Sequence, residues 1–153
     1  LLRYQIYESQ QHLVSLEKEI EFIQSYVDFE LQRNENLEVN TSFPSHSDAM
    51  MVPPLLFLPL VENAFKYSKT GDTNAHIDLT MRIENNKLLF SLDNSKGDRL
   101  LKQEADYSGI GLSNVRSRLQ LIYPDGHDLR IKESPDKFSL SLEIDMKSKM
   151  ASS

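Results

Sequence analysis

Two alternating apolar–polar stretches, each folded back by a turn, constrain this chain most. In the first, Ile77, Leu79, Met81 and Ile83 share one face, Asn85-Asn86 supplies a turn and 88–93 returns, so 76–93 reads as a β-hairpin. In the second, Leu129 and Ile131 are answered by Phe138, Leu140, Leu142 and Ile144. A period of two gives a sheet one apolar face, which must be covered. Two segments can cover it. Pro53 and Pro54 suit the first turn of a helix running to about Lys69 and closed by Gly71. Leu112, Val115, Leu119 and Ile122 mark a second helix, ended by the turn signal of residues 123–126. With an alternating strand over 37–41, the order is strand, helix, strand, strand, loop, helix, strand, strand. That order implies an α+β fold, a two-layer α/β sandwich with a mixed sheet and its helices on one face.

Helices precede this unit. Leu2, Ile6, Leu13, Leu16, Ile20, Ile23 and Val27 form one apolar stripe at helical spacing, and Ser15 ahead of Glu17 and Glu19 reads as an N-cap. Two helices, roughly 1–9 and 15–33, or one continuous helix satisfy the pattern. The stripe can pack on the same domain or form a dimer seam. The expected division is 1–33 as a leading helical part, 34–146 as the α+β domain and 147–153 as a tail. Opening on Leu1-Leu2-Arg3 within a helical pattern, the chain is expected to be a piece of a longer protein.

Composition excludes several chemistries. Seventeen Lys+Arg against 23 Asp+Glu leave a net charge of −6 with no basic run, so direct nucleic-acid binding is not expected. The absence of cysteine removes disulfides, thiolate metal sites and cysteine nucleophiles. The longest apolar stretch, 53–61, holds three prolines and is far short of the ~18–20 residues that span a bilayer.

Three places could carry chemistry. On the 53–69 helix, Phe57, Val61, Ala64 and Ser68 share the side facing the sheet, while Glu62, Asn63 and Lys66 crowd the other. An amide oxygen beside a carboxylate and an ammonium can hold a hydrated magnesium ion and a phosphate together. A solvated face with an i,i+4 Glu–Lys pair presents the same residues. Gly109 and Gly111 lie where an irregular loop enters a helix, a junction that lets backbone amides approach an anion or simply flexes. Asp93, at the end of a strand, could accept a hydrogen bond from an exocyclic amine, or Asp93-Asn94 could be a turn pair.

Taken in order, these segments resemble a known family. P-P-L-L-F-L-P-L-V-E-N-A-F-K-Y (53–67) resembles the N-box of the LytS-type sensor histidine kinases. D-N-S-K-G (93–97) stands where that family has its first glycine box, with Ser95 in place of the usual first glycine and Gly97 following. G-I-G-L-S-N-V-R-S-R-L-Q-L-I-Y (109–123) resembles the second glycine box and its helix, and L-E-K-E-I-E-F-I-Q-S-Y-V (16–27) the linking helix. The resemblance implies the Bergerat fold of an ATP-binding catalytic domain. By position it implies that Asn63 coordinates Mg2+, that Glu62 is its acidic neighbour and that Lys66 lies near the phosphates. Asp93 would recognise the adenine amino group. Gly109, Gly111 and Leu112 would back the triphosphate, with Arg116 as a phosphate or lid contact and 94–108 as the ATP lid. Ser95 has less backbone freedom than glycine, which would weaken nucleotide binding.

The resemblance further implies phosphoryl transfer from ATP to a histidine, and from there to a response regulator, of the LytTR type for this family. It implies a homodimer and a cytoplasmic domain of a bacterial protein anchored in the inner membrane. The family's phosphoacceptor segment, similar to N-P-H-F-L-F-N, has no counterpart here, and His12, His46, His76 and His127 lack its context. Two other readings stay open: an anti-sigma-factor serine kinase, which shares the fold, and a binding or dimerisation module that has lost its nucleotide, to which Ser95 lends support.

Overall fold

Asn85 and Asn86 both take left-handed backbone, with φ of 51° and 63°. Asparagine tolerates that region, and two such residues make the tight turn whose twist matches paired strands. The turn joins β4 (His76–Glu84) to β5 (Lys87–Ser95) in an antiparallel pair running from Glu84↔Lys87 to Ile77↔Asn94. The computed structural model describes residues 13–46, 49–68, 75–96 and 110–146. In it, β5 also pairs antiparallel with β7 (Lys137–Asp145), which pairs with β6 (His127–Glu133). On the other flank β2 (Glu38–Ser42) runs parallel to β4. The mixed sheet has the order β2-β4-β5-β7-β6.

One face of this sheet is apolar. Ile77, Leu79 and Met81, then Leu88, Phe90 and Leu92, then Phe138, Leu140, Leu142 and Ile144 are all buried. Two helices cover them, α2 (Leu58–Ser68) and α3 (Ile110–Ile122), with Phe57 set against Phe90 at 5.1 Å between ring centroids. This is the expected two-layer α/β sandwich.

A third helix, α1 (Leu16–Arg33), has Ser15 as its N-cap, whose hydroxyl accepts from the Lys18 amide at 3.3 Å. Its stripe of Leu16, Ile20, Ile23 and Val27 joins the same core, so the described part of the stripe packs within this chain. Leu13 lies outside the helix, as the reading with a helix over 15–33 has it and the continuous-helix reading does not. Val14–Ser15 instead form a short strand, β1, antiparallel to β3 (Met51–Val52), and the Leu16 amide donates to the Met50 carbonyl at 2.7 Å. A capping serine ends a helix in extended backbone, which frees the preceding residues to pair.

Two other boundaries move. Helix α2 does not begin at Pro53-Pro54: Pro54 biases Pro53 away from helical backbone, and Leu55 is left-handed at φ 58°. The helix opens instead on the Phe57 carbonyl, which accepts from Leu60 and Val61, and Pro59 sits in the first turn where no amide donor is needed. Strand β5 does not stop at Asp93 but runs on to Ser95, because β7 pairs with it as far as Ser95↔Lys137. Lys69, Gly71, and the leading residues Leu2 and Ile6 lie outside the described residues.

Candidate functional site

The N-box segment forms α2, and the sheet dictates which way it faces. Val61, Ala64, Phe65 and Ser68 are buried, which turns Glu62 and Lys66 outward and leaves Asn63 half-buried at the margin. Asn63 points at α3. A Cβ built on Gly111 would lie 3.7 Å from its Oδ1 and 3.9 Å from its Nδ2. The two motifs singled out from the sequence therefore meet, and a side chain at 111 would occupy the space beside that amide. Leu112 is buried beneath this turn, while Arg116 is exposed one turn further along. The Lys66 ammonium lies over the Tyr67 ring at 5.6 Å from its centroid, and among the described residues no ion pair joins it to Glu62. Gly97 and Gly109, with 97–108 of the expected lid, lie outside the described residues.

The first glycine box differs most from its reading. Side chains alternate along β5, so Leu88, Phe90, Leu92 and Asn94 face the helices and Asp93 faces the open side, beside Asp78 and Ser139. Asp93 thus points away from Asn63 and Gly111. Asn94 takes the inward position and is 1% exposed. Its Nδ2 donates to the Ser95 carbonyl at 2.9 Å, while its Oδ1 is buried without a hydrogen-bond partner. A buried, unmatched acceptor is costly, on the order of 1–3 kcal/mol, and marks a place where a donor from elsewhere is welcome. Ser95 is tied to the sheet: its hydroxyl accepts from the His76 amide at 3.0 Å and lies 3.4 Å from the His76 carbonyl, to which it donates.

Sequence reasoning missed the reach of α1 into this region. Tyr26 stacks edge-on against Phe65, with centroids 5.6 Å apart and planes at 82°. Its hydroxyl donates to Glu30, and burial, reinforced by the charges of Glu30 and Glu62, raises its pKa. Glu30 is itself buried and held by Asn34 and Arg33. Glu62 reaches solvent, yet partial desolvation, and after it the charge of Glu30, raises its carboxyl above the ordinary value. Tyr26 and Glu30 follow the i,i+4 spacing of one helix face, the only sequence trace of this cluster.

Among the described residues no group of three or more His, Asp or Glu side chains could hold a metal. The donor set fits magnesium in one way: a single amide oxygen, Asn63 Oδ1, with remaining ligands from water and nucleotide oxygens, as that ion prefers. Toward a purine nucleotide the described residues offer one orphaned acceptor, Asn94 Oδ1, and the space beside Gly111 in the first turn of α3.

No family model matches the chain. Among curated proteins, the sensor protein LytS of Oceanobacillus iheyensis is 31% identical over 146 residues, covering 84% of this chain and 24% of LytS. The chain is a relative of the LytS-type sensor histidine kinases. The sensor histidine kinase YesM of Bacillus subtilis is 26% identical over 144 residues, covering 90% of this chain and 24% of YesM. The chain thus spans about a quarter of the length of these sensor kinases. Among solved structures, histidine kinase ThkA in complex with response regulator protein TrrA superposes with a TM-score of 0.55 at 18% identity, over 86% of this chain and 40% of that one. That likeness shows the fold, which is the fold of histidine kinase catalytic domains. No helix among the described residues is long and apolar enough to cross a membrane.

Proposed function

We propose that this chain is the ATP-binding part of a LytS-type sensor histidine kinase, with residues 1–33 as the end of its dimerisation region and linking helix. The observation that carries this reading is the meeting of Asn63 with Gly111, which joins the N-box to the second glycine box across α2 and α3. ATP enters between these helices. Asn94 Oδ1 accepts from the adenine amino group, the role the sequence suggested for Asp93. Backbone amides at the start of α3 face the phosphates, and Lys66 and Arg116 supply positive charge at the rim. Asn63 Oδ1 provides one ligand to Mg2+, which would neutralise phosphate charge. Glu62 beside it would be the acidic neighbour of that ion, holding its carboxylate next to the Asn63 amide. The γ-phosphoryl group passes to a histidine that this chain lacks, on the dimerisation helices of a homodimer, and then to a response regulator. The pairing of the structural neighbour ThkA with TrrA supports a response-regulator partner, and kinship with LytS favours one of the LytTR type. The domain works on the cytoplasmic side of a membrane-anchored protein.

Calorimetric titration with Mg–ATP tests the reading. The parent chain is expected to bind, Asn63→Ala to lose the magnesium-dependent part, and neither to acquire an acid-labile phosphate. No binding by the parent would turn the assignment toward the nucleotide-free module, and stoichiometric label lost on His12→Ala would overturn the missing-acceptor argument.

A further inference from the structure

The Pro54–Leu55 peptide just ahead of α2 is held from both ends by charged side chains on two different helices. Its N–H, at Leu55, donates to Oε1 of Glu19 on α1 at 2.8 Å. Its C=O, at Pro54, accepts from Nη2 of Arg118 on α3 at 2.7 Å. Glu19 is 0% exposed. Leu55 stands at φ 58°, a left-handed conformation that a branched side chain adopts only when its surroundings impose it.

Packing alone does not call for this arrangement. Burying a carboxylate costs several kcal/mol unless it is well partnered, and an apolar residue at 19 would fill a core at lower cost. Burial also lowers the Arg118 pKa, and the charge of Glu19 partly restores it, so the two side chains face each other electrostatically as well. The pair recognises one peptide, by direction and by charge.

The position of Arg118 on α3 supplies the consequence. Residues 111 and 118 are two turns apart and share one face of that helix. That face is clasped to the N-box segment twice: Gly111 lies against Asn63, and Arg118 grips Pro54. Helix α1 joins the second clasp through Glu19, and its start is drawn to the same segment by the β1–β3 pair and the Leu16–Met50 hydrogen bond.

We propose that Glu19 and Arg118 are positioning residues that lock the Pro54–Leu55 peptide between α1 and α3, so that the seating of the linking helix sets the distance between Gly111 and Asn63 and with it nucleotide affinity. Displacing α1 releases the Leu55 amide, loosens the grip of Arg118 and lets the first turn of α3 drift from Asn63. The affinity part rests on the ATP-binding reading above; the mechanical part does not.

Two measurements on this chain keep these parts separate. In the first, ADP is titrated calorimetrically into the parent, Glu19→Ala, Glu19→Gln, Arg118→Ala and the double alanine variant, each checked for a cooperative thermal transition. Each single alanine is expected to weaken ADP binding about tenfold. Glu19→Gln, which keeps an acceptor for Leu55, recovers most of it. The double variant loses much less than the product of the singles, because both side chains act on one peptide. Folded alanine variants that bind ADP as tightly as the parent, or losses that simply multiply, would overturn the proposal.

In the second, amide exchange is followed without nucleotide in the parent and in Glu19→Gln and Arg118→Lys, which keep most of the buried volume should the alanine variants not fold. Arg118→Lys is expected to speed exchange at least fivefold both at Leu55 and in the first turn of α3, and Glu19→Gln to do so by less. Unchanged exchange at the start of α3 while Leu55 is released would overturn the proposal, since the clasp would then be local. A parent that binds no ADP would defeat the ATP-binding reading and the affinity part, leaving the exchange result to decide the mechanical part.

Discussion

Replacing Asn94 by valine separates a residue kept for folding from one kept for a ligand. Its Oδ1 is buried without a hydrogen-bond partner, a penalty of ~1–3 kcal/mol, while its Nδ2–Ser95 carbonyl bond returns ~0.5–1.5 kcal/mol. Asn94→Val removes both, and a β-branched side chain suits an inward strand position between Ile77 and Phe138. The relieved penalty offsets the lost bond. Thermal stability is therefore expected to hold within about 4 °C or to rise, given ~2–4 °C per kcal/mol for a chain this long. Nucleotide binding behaves oppositely: the amine of adenine loses its acceptor, at ~1–3 kcal/mol, or roughly fivefold to 150-fold in Kd for ADP. Scanning calorimetry and ADP titration on the same sample read both quantities. A variant that melts much earlier yet binds ADP like the parent would refute the reasoning, because Asn94 would then serve the sheet alone.

Two further outcomes follow from the same geometry. Asp93→Asn should leave ADP affinity within twofold, since Asp93 faces the open side, and should be neutral or slightly stabilising because it removes one of two like charges set opposite each other at Asp78↔Asp93; a tenfold loss by calorimetry would return the amine-binding role to it. Glu62, with its carboxyl raised by burial and then by Glu30, binds its proton more tightly folded than unfolded, so its contribution to stability falls as pH rises from its ordinary 4.5 through the folded value. Glu30→Gln removes the second cause and should flatten that decline in a series of melts between about pH 4 and 7; an unaltered slope would mean that Glu30 does not act on Glu62.

The strands were legible because their signals are local. Alternation at 77–83 and 138–144 is enough to define a buried face, and Asn85-Asn86 names its own turn. Ser15 likewise announced α1 from its side-chain chemistry. What escaped reading depends on partners distant in the chain. Val14–Ser15 and Met51–Val52 are strands only because each supplies the other's hydrogen bonds. Leu55 carries no mark of the left-handed backbone imposed on it by Glu19 and Arg118. The site suffered a shift of one residue: polar Asp93-Asn94-Ser95 looked like a strand's end, whereas pairing with β7 continues the strand and turns Asn94 inward. Asn63 and Gly111 each stand out for their own chemistry, and only the packing of α2 on α3 joins them. Glu19 read as a first-turn acidic residue, a role that needs no burial.

The two edges of the sheet decide how copies of this domain could meet. Strand β2 presents Glu38, Asn40, Thr41 and Ser42 to solvent, and β6 carries Asp128, Arg130, Lys132 and Glu133 along an exposed border, with an Arg130–Asp128 ion pair at 3.0 Å. Charged and hydroxylated edges resist recruitment of a foreign strand, since each added partner would have to desolvate them. Self-association through a continuous intermolecular sheet is thus disfavoured at both borders, which protects the domain against strand-mediated aggregation. A symmetric assembly is better served by surfaces away from these two strands, where neighbours can rotate without unzipping a backbone ladder.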